Sequence, residues 1–337
     1  RALCWDDNSY GESFLKTKDV SDALSQAGYG KNNQLDMILM DVCLGASVED
    51  SYQFKDYANY LVASPNTVPG MGMDYVSMMK SFTSGSTIES IGKQLIEDYR
   101  AYYEWDISTW QEEASSLGSG ITVDNAVWYS LCGISTLSMI DLTKIDELED
   151  KITALATFLL SNDKVLDGIF YDENNELVSK ETATTRPVPY LDLLKDYVRF
   201  SGMTGNSMYY LGTYSWLFDI GFMIDNFMYI ADETILDNSG NLVTNVFAWP
   251  ELVTACSDVK TALEGAIVKA WRDSPYSTGN LYEDLKGTHY GLVISGETIA
   301  VDGGNIVPGS CPDFYETDLA FGEDSAWTEL LVEWFGN

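Results

Sequence analysis

Histidine, basic residues and long apolar runs are scarce in this chain of 337 residues. It has one histidine, and 19 Lys and Arg against 52 Asp and Glu give a formal net charge of −33. This negative field repels nucleic-acid phosphates and anionic membrane surfaces. No apolar run approaches the roughly 20 residues that a membrane-spanning helix needs. The sequence therefore predicts neither nucleic-acid binding nor a membrane span.

Cysteines are also few, and none is spaced for a metal site. Cys4, Cys43, Cys132, Cys256 and Cys311 have no second cysteine or histidine at CxxC or CxxH spacing. We therefore expect no zinc or iron–sulfur centre. Because five is an odd number, at least one thiol is expected to be free.

The composition is that of a folded protein, with 45% hydrophobic and 13% aromatic residues. Disorder is excluded despite the charge. We predict that residues 1–85 belong to a catalytic core. Residues 86–337 are predicted to be mixed but mainly helical and to pack on that core. In this region the patterns indicate helices at 88–103, 143–160, 259–271 and 327–335, a hairpin over 168–178, and a late strand near 290–295.

Residues 35–64 carry the clearest local pattern. Short apolar runs at 35–40 and 60–64 predict buried strands, and residues 44–59 between them predict a helix. Strand, helix and strand in this order form a parallel pair with a right-handed crossover. Working residues lie at the carboxyl ends of such strands, where Cys43 and Ser64 are found.

Cys43 is the candidate nucleophile. At the junction of a strand and a helix N-terminus, backbone N–H groups and the helix dipole favour the thiolate and can stabilise an oxyanion. The alternative is a small buried core cysteine.

The run Leu35-Asp36-Met37-Ile38-Leu39-Met40-Asp41-Val42-Cys43-Leu44-Gly45-Ala46-Ser47-Val48-Glu49 resembles the nucleophile segment of clostripain-family cysteine peptidases. That family has a strand ending in Asp-Ala-Cys-Leu-Met. The resemblance continues through residues 57–64 and 69–75. Val42 replaces the usual Ala and Gly45 the common Met, and neither change removes a functional group.

The resemblance implies an α/β fold of the caspase–hemoglobinase group, with a mostly parallel sheet flanked by helices and a largely helical C-terminal extension. It implies a cysteine endopeptidase that cleaves after Arg or Lys with a Cys-His dyad. Cys43 would be the nucleophile, with its own N–H in the oxyanion hole. Asp41 would receive the P1 cation, and a carboxylate suits that role. Its alternative role is a helix N-cap.

Ser64 and Asp74 are further candidates for the S1 pocket. Ser64 would line S1 or hold the substrate main chain, and Asp74 would add a second acid. Their alternatives are a strand-terminating serine before Pro65 and a helix cap.

His289 is the only histidine, and we interpret it as a hydrogen-bonded loop residue. The family's catalytic His lies upstream of the nucleophile, in a light chain cut from the same precursor. The resemblance therefore implies that this chain is the heavy chain, with Arg1 at or beside an autolytic cut and a light chain as partner. It also implies a secreted or cell-envelope (periplasmic) location.

No cofactor is required for this chemistry, although Ca²⁺ binding is possible for so acidic a chain. The oxygen-rich stretches 172–176 and 237–241 are more typical of turns. A rival hypothesis is a non-catalytic surface protein that binds glycans or peptides, suggested by nine Trp and 21 Tyr. A peptidase-like fold without activity is a third.

Overall fold

The fold comes from a computed structural model. The residues it describes are 2–6, 13–66, 68, 72–103, 111–112, 115, 135–162, 164–174, 177–178, 181–194, 217–232, 235–236, 242–243, 249–271, 291–295, 299–302, 305–308 and 319–335. These residues divide into two compact units. The first comprises residues 1–145, 203–215 and 264–294, and the second comprises 146–202, 216–263 and 295–337. The first unit therefore extends beyond the predicted 1–85 segment.

The first unit contains the helices and strands that precede and follow the predicted nucleophile in sequence. In chain order they are β1 (Ala2–Asp6), β2 (Ser13–Lys16), α1 (Thr17–Gln26), β3 (Leu35–Leu39), α2 (Val48–Phe54), β4 (Ala58–Ala63), α3 (Tyr75–Met79), α4 (Ile88–Tyr103) and β5 (Leu137–Asp141).

The second unit begins within the helix that follows a 3₁₀ turn at Leu142–Lys144. Its elements are α5 (Ile145–Ser161), β6 (Val165–Tyr171), β7 (Leu177–Val178), β8 (Arg186–Pro189), β9 (Leu217–Asp219), α6 (Ile220–Asp232), β10 (Ile235–Leu236), β11 (Leu242–Val243) and α7 (Pro250–Ala266). The chain then adds β12 (Ile267–Trp271) and β13 (Val293–Ser295) before β14 (Ile299–Asp302), β15 (Asn305–Pro308), α8 (Ala320–Asp324) and α9 (Trp327–Phe335).

A four-stranded sheet organises the first unit, in the order β12-β5-β4-β3. The predicted parallel pair is present, because Leu35 pairs with Ala58 and Leu39 with Val62. However, β5 runs antiparallel to β4, and β12 runs antiparallel to β5. The described sheet is therefore mixed, and the expectation of a mostly parallel sheet is wrong for this part of the chain.

Helix α4 packs on this sheet through an apolar stripe. Ile91, Leu95, Tyr99 and Tyr103 recur every four residues and are buried, as the helical period requires. They join Met139 of β5 and other side chains in one hydrophobic cluster. Gly92 allows the close approach, because a Cβ there would lie 2.5 Å from Met139 Sδ.

Two predicted helices differ from the observed ones. The helix predicted from Leu44 begins only at Val48, because Leu44 has a positive φ of 63° that no α-helix accepts. The helix predicted over 259–271 ends at Ala266, and Ile267–Trp271 forms β12 instead. β-branched Ile267 and Val268 favour a strand, and pairing with β5 supplies its hydrogen bonds.

The second unit has an aromatic interior of its own. Trp249 packs against Phe158 and Tyr190, with ring centroids 5.1 and 4.7 Å away. Trp327 and Trp334 pack edge to face in α9 at 5.8 Å. The predicted hairpin is present, since β6 pairs with β7. Strands β6 to β8 and β14 to β15 also show that this half of the chain is more mixed than the mainly helical prediction.

Candidate active site at the end of strand β3

Cys43 lies four residues beyond the last residue of β3, with an exposed and free thiol. The N–H of Val68 points at its sulfur, with 3.3 Å between the nitrogen and Sγ. A thiolate sulfur in this position would accept a hydrogen bond from that N–H. The buried-core alternative is therefore wrong. The expected helix N-terminus is absent as well, because α2 begins at Val48 and Ser47 caps it by accepting the N–H of Asp50.

A strained turn presents this thiol. Among the described non-glycine residues, only Leu44 has a positive φ, a conformation that typically costs about 1–3 kcal/mol and persists where surrounding contacts enforce it. The Leu44 N–H donates to the Asn66 carbonyl at 2.8 Å, and the Ala46 N–H donates to the Ser64 carbonyl at 2.9 Å. These two bonds fasten the segment after β3 to the segment after β4.

Asp41, two residues before Cys43, is half-buried and held from one side. The hydroxyl of Tyr75 donates to its Oδ2 at 2.6 Å. Gly72 faces the same oxygen, and a Cβ on that residue would lie 3.1 Å from Oδ2. Gly72 also has a φ of 67°, which a side chain would strain. Asp41 does not cap a helix, so that alternative is wrong.

Two tyrosines of α4 support this corner. The hydroxyl of Tyr103 donates to the Gly72 carbonyl at 2.7 Å and so fixes the backbone that faces Asp41. Burial is the main reason why the pKa of Tyr99 is raised, and the nearby Asp41 carboxylate raises it further.

Strand β3 is half-buried rather than buried as predicted, with Asp36 exposed. An exposed thiol two residues after a carboxylate, just beyond the end of this strand, is otherwise the arrangement that the sequence predicts for a cysteine peptidase. A profile of the clostripain family matches residues 1–334. The chain belongs to the clostripain family. It is therefore a cysteine peptidase by family, with a mixed sheet flanked by helices.

Two solved structures are similar to this clostripain-family chain, and the first shares its fold. A clostripain from Bacteroides thetaiotaomicron ATCC 29148, in complex with the peptide inhibitor BTN-VLTK-AOMK, has a TM-score of 0.50 and 13% identity, covering 97% of this chain and 99% of that one. A cysteine protease from B. fragilis has a TM-score of 0.49 and 14% identity, covering 96% and 98%. No curated protein sequence matches the chain.

Ser64 is placed differently from Cys43 in this clostripain-family chain. Its side chain is completely buried. The hydroxyl donates to the Asn66 carbonyl at 2.9 Å, accepts the Asn66 N–H at 3.2 Å, and lies 3.2 Å from the Thr136 hydroxyl. These contacts match the alternative of a strand-terminating serine. A buried hydroxyl with internal partners does not line an open pocket in this structure.

Asp74 caps helix α3, as its alternative predicts. It accepts the N–H groups of Val76 and Ser77 at 3.1 and 3.2 Å. Hydrogen bonding to Ser77 is the main reason why the pKa of Asp74 is lowered. It caps the helix whose first residue, Tyr75, contacts Asp41.

The remaining predictions about the site concern histidine and metals. His289 lies outside the described residues, as do residues 237–241 of the second oxygen-rich stretch. Asp172 accepts the Asn174 N–H at 2.8 Å, which is a turn contact. Within the described ranges, no group of three or more His, Cys, Asp or Glu side chains is arranged to hold a metal ion. No described helix is long and apolar enough to cross a membrane.

The sequence analysis missed Tyr75. It follows Asp74 directly, but it reaches Asp41 across 34 positions of sequence. No local spacing indicates such a contact. The signal available in the sequence was the run of Pro and Gly at 69–73, which comes directly before the cap of α3.

Proposed function

We propose that the chain is the heavy chain of a two-chain cysteine endopeptidase that cleaves peptide bonds after Arg or Lys. The observation that carries the proposal is the exposed Cys43 thiol two residues after the half-buried Asp41 carboxylate. Together they supply a nucleophile and a partner for a cationic P1 side chain.

The reaction uses Cys43 and the imidazole of a histidine. The sulfur attacks the scissile carbonyl carbon while the imidazole takes the thiol proton, and the proton then passes to the departing amine as the C–N bond breaks. Water, deprotonated by the same imidazole, hydrolyses the thioester and restores the thiol. Within the described residues the Cys43 N–H donates to no other group. It is available for the oxyanion of both steps.

Asp41 is the proposed P1 partner. A guanidinium or ammonium group leaves water when it enters a pocket, and a charge-assisted hydrogen bond to a carboxylate offsets that cost. Asp74 is engaged as a helix cap and Ser64 is buried. We therefore assign the cation to Asp41 and give Asp74 and Ser64 supporting roles in the same loop.

The histidine is proposed to come from a light chain of the same precursor. Strand β3 is an edge of the described four-stranded sheet. An edge strand offers unpaired N–H and C=O groups to a strand from another chain. A light chain that pairs there would bring its residues beside the carboxyl end of β3, where Cys43 lies.

The family relationship also underlies the proposed location and cofactor requirement. We propose a secreted or cell-envelope enzyme that acts on basic peptide and protein substrates. The Cys-His chemistry itself needs no cofactor, and Ca²⁺ would act only as a structural ion. The glycan-binding rival gains no support from the Trp side chains that the structure describes, because these are buried: Trp249, Trp271, Trp327 and Trp334.

The test is covalent labelling of the enzyme as isolated. A biotinylated acyloxymethyl ketone with Arg or Lys at P1 should modify Cys43, as identified by peptide mass spectrometry. Cys43→Ala should abolish labelling, and Cys256→Ala, which removes a buried thiol, should preserve it in the folded fraction. Asp41→Asn should lower kcat/KM for basic substrates about 10- to 100-fold through the lost charge-assisted bond.

Three results would contradict the proposal. Labelling at another cysteine, or none, would remove Cys43 as the nucleophile. Full basic-residue turnover by Asp41→Asn would remove Asp41 as the P1 partner. A fully active preparation that runs as this one chain, with no second polypeptide on a denaturing gel, would refute the two-chain arrangement.

A further inference from the structure

One oxygen of the Asp41 carboxylate already accepts a hydrogen bond from the protein. Tyr75 donates its hydroxyl to Oδ2 at 2.6 Å, and the Gly72 backbone approaches the same oxygen. Within the described part of the chain, Oδ1 accepts no hydrogen bond. The two oxygens are therefore inequivalent, because the described residues engage Oδ2 and leave Oδ1 without a donor.

The Tyr75 hydroxyl stays protonated and in place as a hydrogen-bond donor to Asp41. The bond to Asp41 is the largest cause that raises the pKa of Tyr75 to about 12, with burial and the Asp41 charge adding to it. The phenol therefore keeps its proton throughout the neutral range. Its backbone is fixed as the first residue of α3, which Asp74 caps. Tyr75 is 52% exposed, so it lies at the surface beside the carboxylate.

Arg and Lys use a carboxylate in different ways. The guanidinium is a planar fork whose best partner is a carboxylate with both oxygens available, in two parallel N–H···O bonds. The ammonium is a compact charge that one oxygen satisfies. A carboxylate with one oxygen engaged disfavours the fork and leaves the point charge nearly unaffected.

We propose that Tyr75 is a specificity-determining residue, which holds Oδ2 of Asp41 so that only Oδ1 meets the P1 side chain and Lys is favoured relative to Arg. This inference rests on the proposed role of Asp41 in binding P1. Tyr75 acts through Asp41 and is a positioning residue. Gly72 contributes by leaving room for that contact, because any side chain at residue 72 would press on Oδ2.

The test compares two substrates that are identical except for Arg or Lys at P1. In Tyr75→Phe the hydroxyl is lost and the ring is kept, so both oxygens become available to the guanidinium. The ratio of kcat/KM for Arg to that for Lys should rise about tenfold, the effect of one additional hydrogen bond to a charged group. A general loss of structure would lower both values together and leave the ratio unchanged.

A matched control removes a hydroxyl elsewhere in the first unit. Tyr29 lies in the turn before β3, at the end of the strand opposite to Cys43, and Tyr29→Phe should leave both kcat/KM values and their ratio unchanged. An unchanged or lower Arg-to-Lys ratio in Tyr75→Phe would overturn the role of Tyr75. Retention of basic-residue turnover by Asp41→Asn would instead overturn the proposed function, so the two failures are distinguishable.

Discussion

The ends of β3 and β4 are neighbours in the sheet, yet they expose their polar residues very differently. The strands pair in parallel, and each is followed by a non-helical segment that carries candidate residues. After β3, Cys43 is exposed and Leu44 adopts a positive φ. After β4, Ser64 is fully buried and hydrogen-bonded to the loop that follows it.

The difference fits the proposed function, in which the end of β3 carries the chemistry and the end of β4 supports it. The carbonyl groups of Ser64 and Asn66 accept the N–H groups of Ala46 and Leu44. The loop after β4 thereby holds the turn that exposes Cys43. The carboxyl edge of a parallel pair predicts where a site lies, but burial and hydrogen-bond partners decide which side chains reach a substrate.

The largest expected effect comes from Cys43→Ala at the exposed end. Peptidase activity should fall by several orders of magnitude, because the bond-forming atom is removed. The free energy of unfolding should change by no more than about 0.5 kcal/mol, as for other exposed substitutions. Activity assays and urea denaturation of the same preparation would check both. Retained activity would show that Cys43, at the end of β3, is not the nucleophile.

Ser64→Ala should have the opposite effect, with a loss of stability and little change in the reactivity of Cys43. Removing this buried hydroxyl loses its hydrogen bonds with the Asn66 N–H and carbonyl and its contact with the Thr136 hydroxyl. The free energy of unfolding should fall by about 1–3 kcal/mol, because each lost hydrogen bond contributes about 1 kcal/mol. Labelling of Cys43 in the folded fraction should persist.

The matched control for this substitution is Ser25→Ala, on the exposed surface of α1. We expect a stability change below about 0.5 kcal/mol there. If Ser64→Ala were as stable as this control but inactive toward basic substrates, Ser64 would belong to the S1 pocket and the comparison of the two ends would fail.

Much of the fold follows from local pattern. The apolar runs around β3 and β4, the apolar stripe of α4 and the closing helix α9 each indicate the observed element. Prediction failed where tertiary context overrode it. Helical periodicity through 259–271 did not reveal that β5 would pair with the last five residues as β12.

The proximity of the two candidate residues was predictable from the sequence, but the contacts around them were not. Cys43 and Asp41 lie two positions apart and match a family motif. Tyr75 is 34 positions from Asp41, and only the folded chain brings them together. The strained φ of Leu44 also has no sequence signature, because leucine rarely adopts it. This turn is what replaces the expected helix N-terminus at Cys43.

Asp74→Ala should change stability and activity least of these substitutions. It tests how the cap of α3 supports the residues at the end of β3. Loss of the N-cap should lower the free energy of unfolding by about 1 kcal/mol at neutral pH. Because the pKa of Asp74 is lowered in the folded state, the cap's stabilisation is present above its unfolded pKa of about 3.9 and is lost as pH falls through the folded value. Urea denaturation across pH 3–7 should therefore show the wild type converging on the variant at low pH.

Asp74→Asn separates capping from charge, because asparagine caps helices about as well as aspartate and does not titrate. Its stability should stay near that of the wild type at neutral pH, and this particular source of acid sensitivity should be absent. Since Asp74 fixes the helix that begins at Tyr75, Asp74→Ala should also raise the Arg-to-Lys ratio, by less than Tyr75→Phe does. If Asp74→Asn instead lost turnover of basic substrates while keeping its stability, the charge of Asp74 would act on the P1 cation directly, and the exposed end would have two acids rather than one.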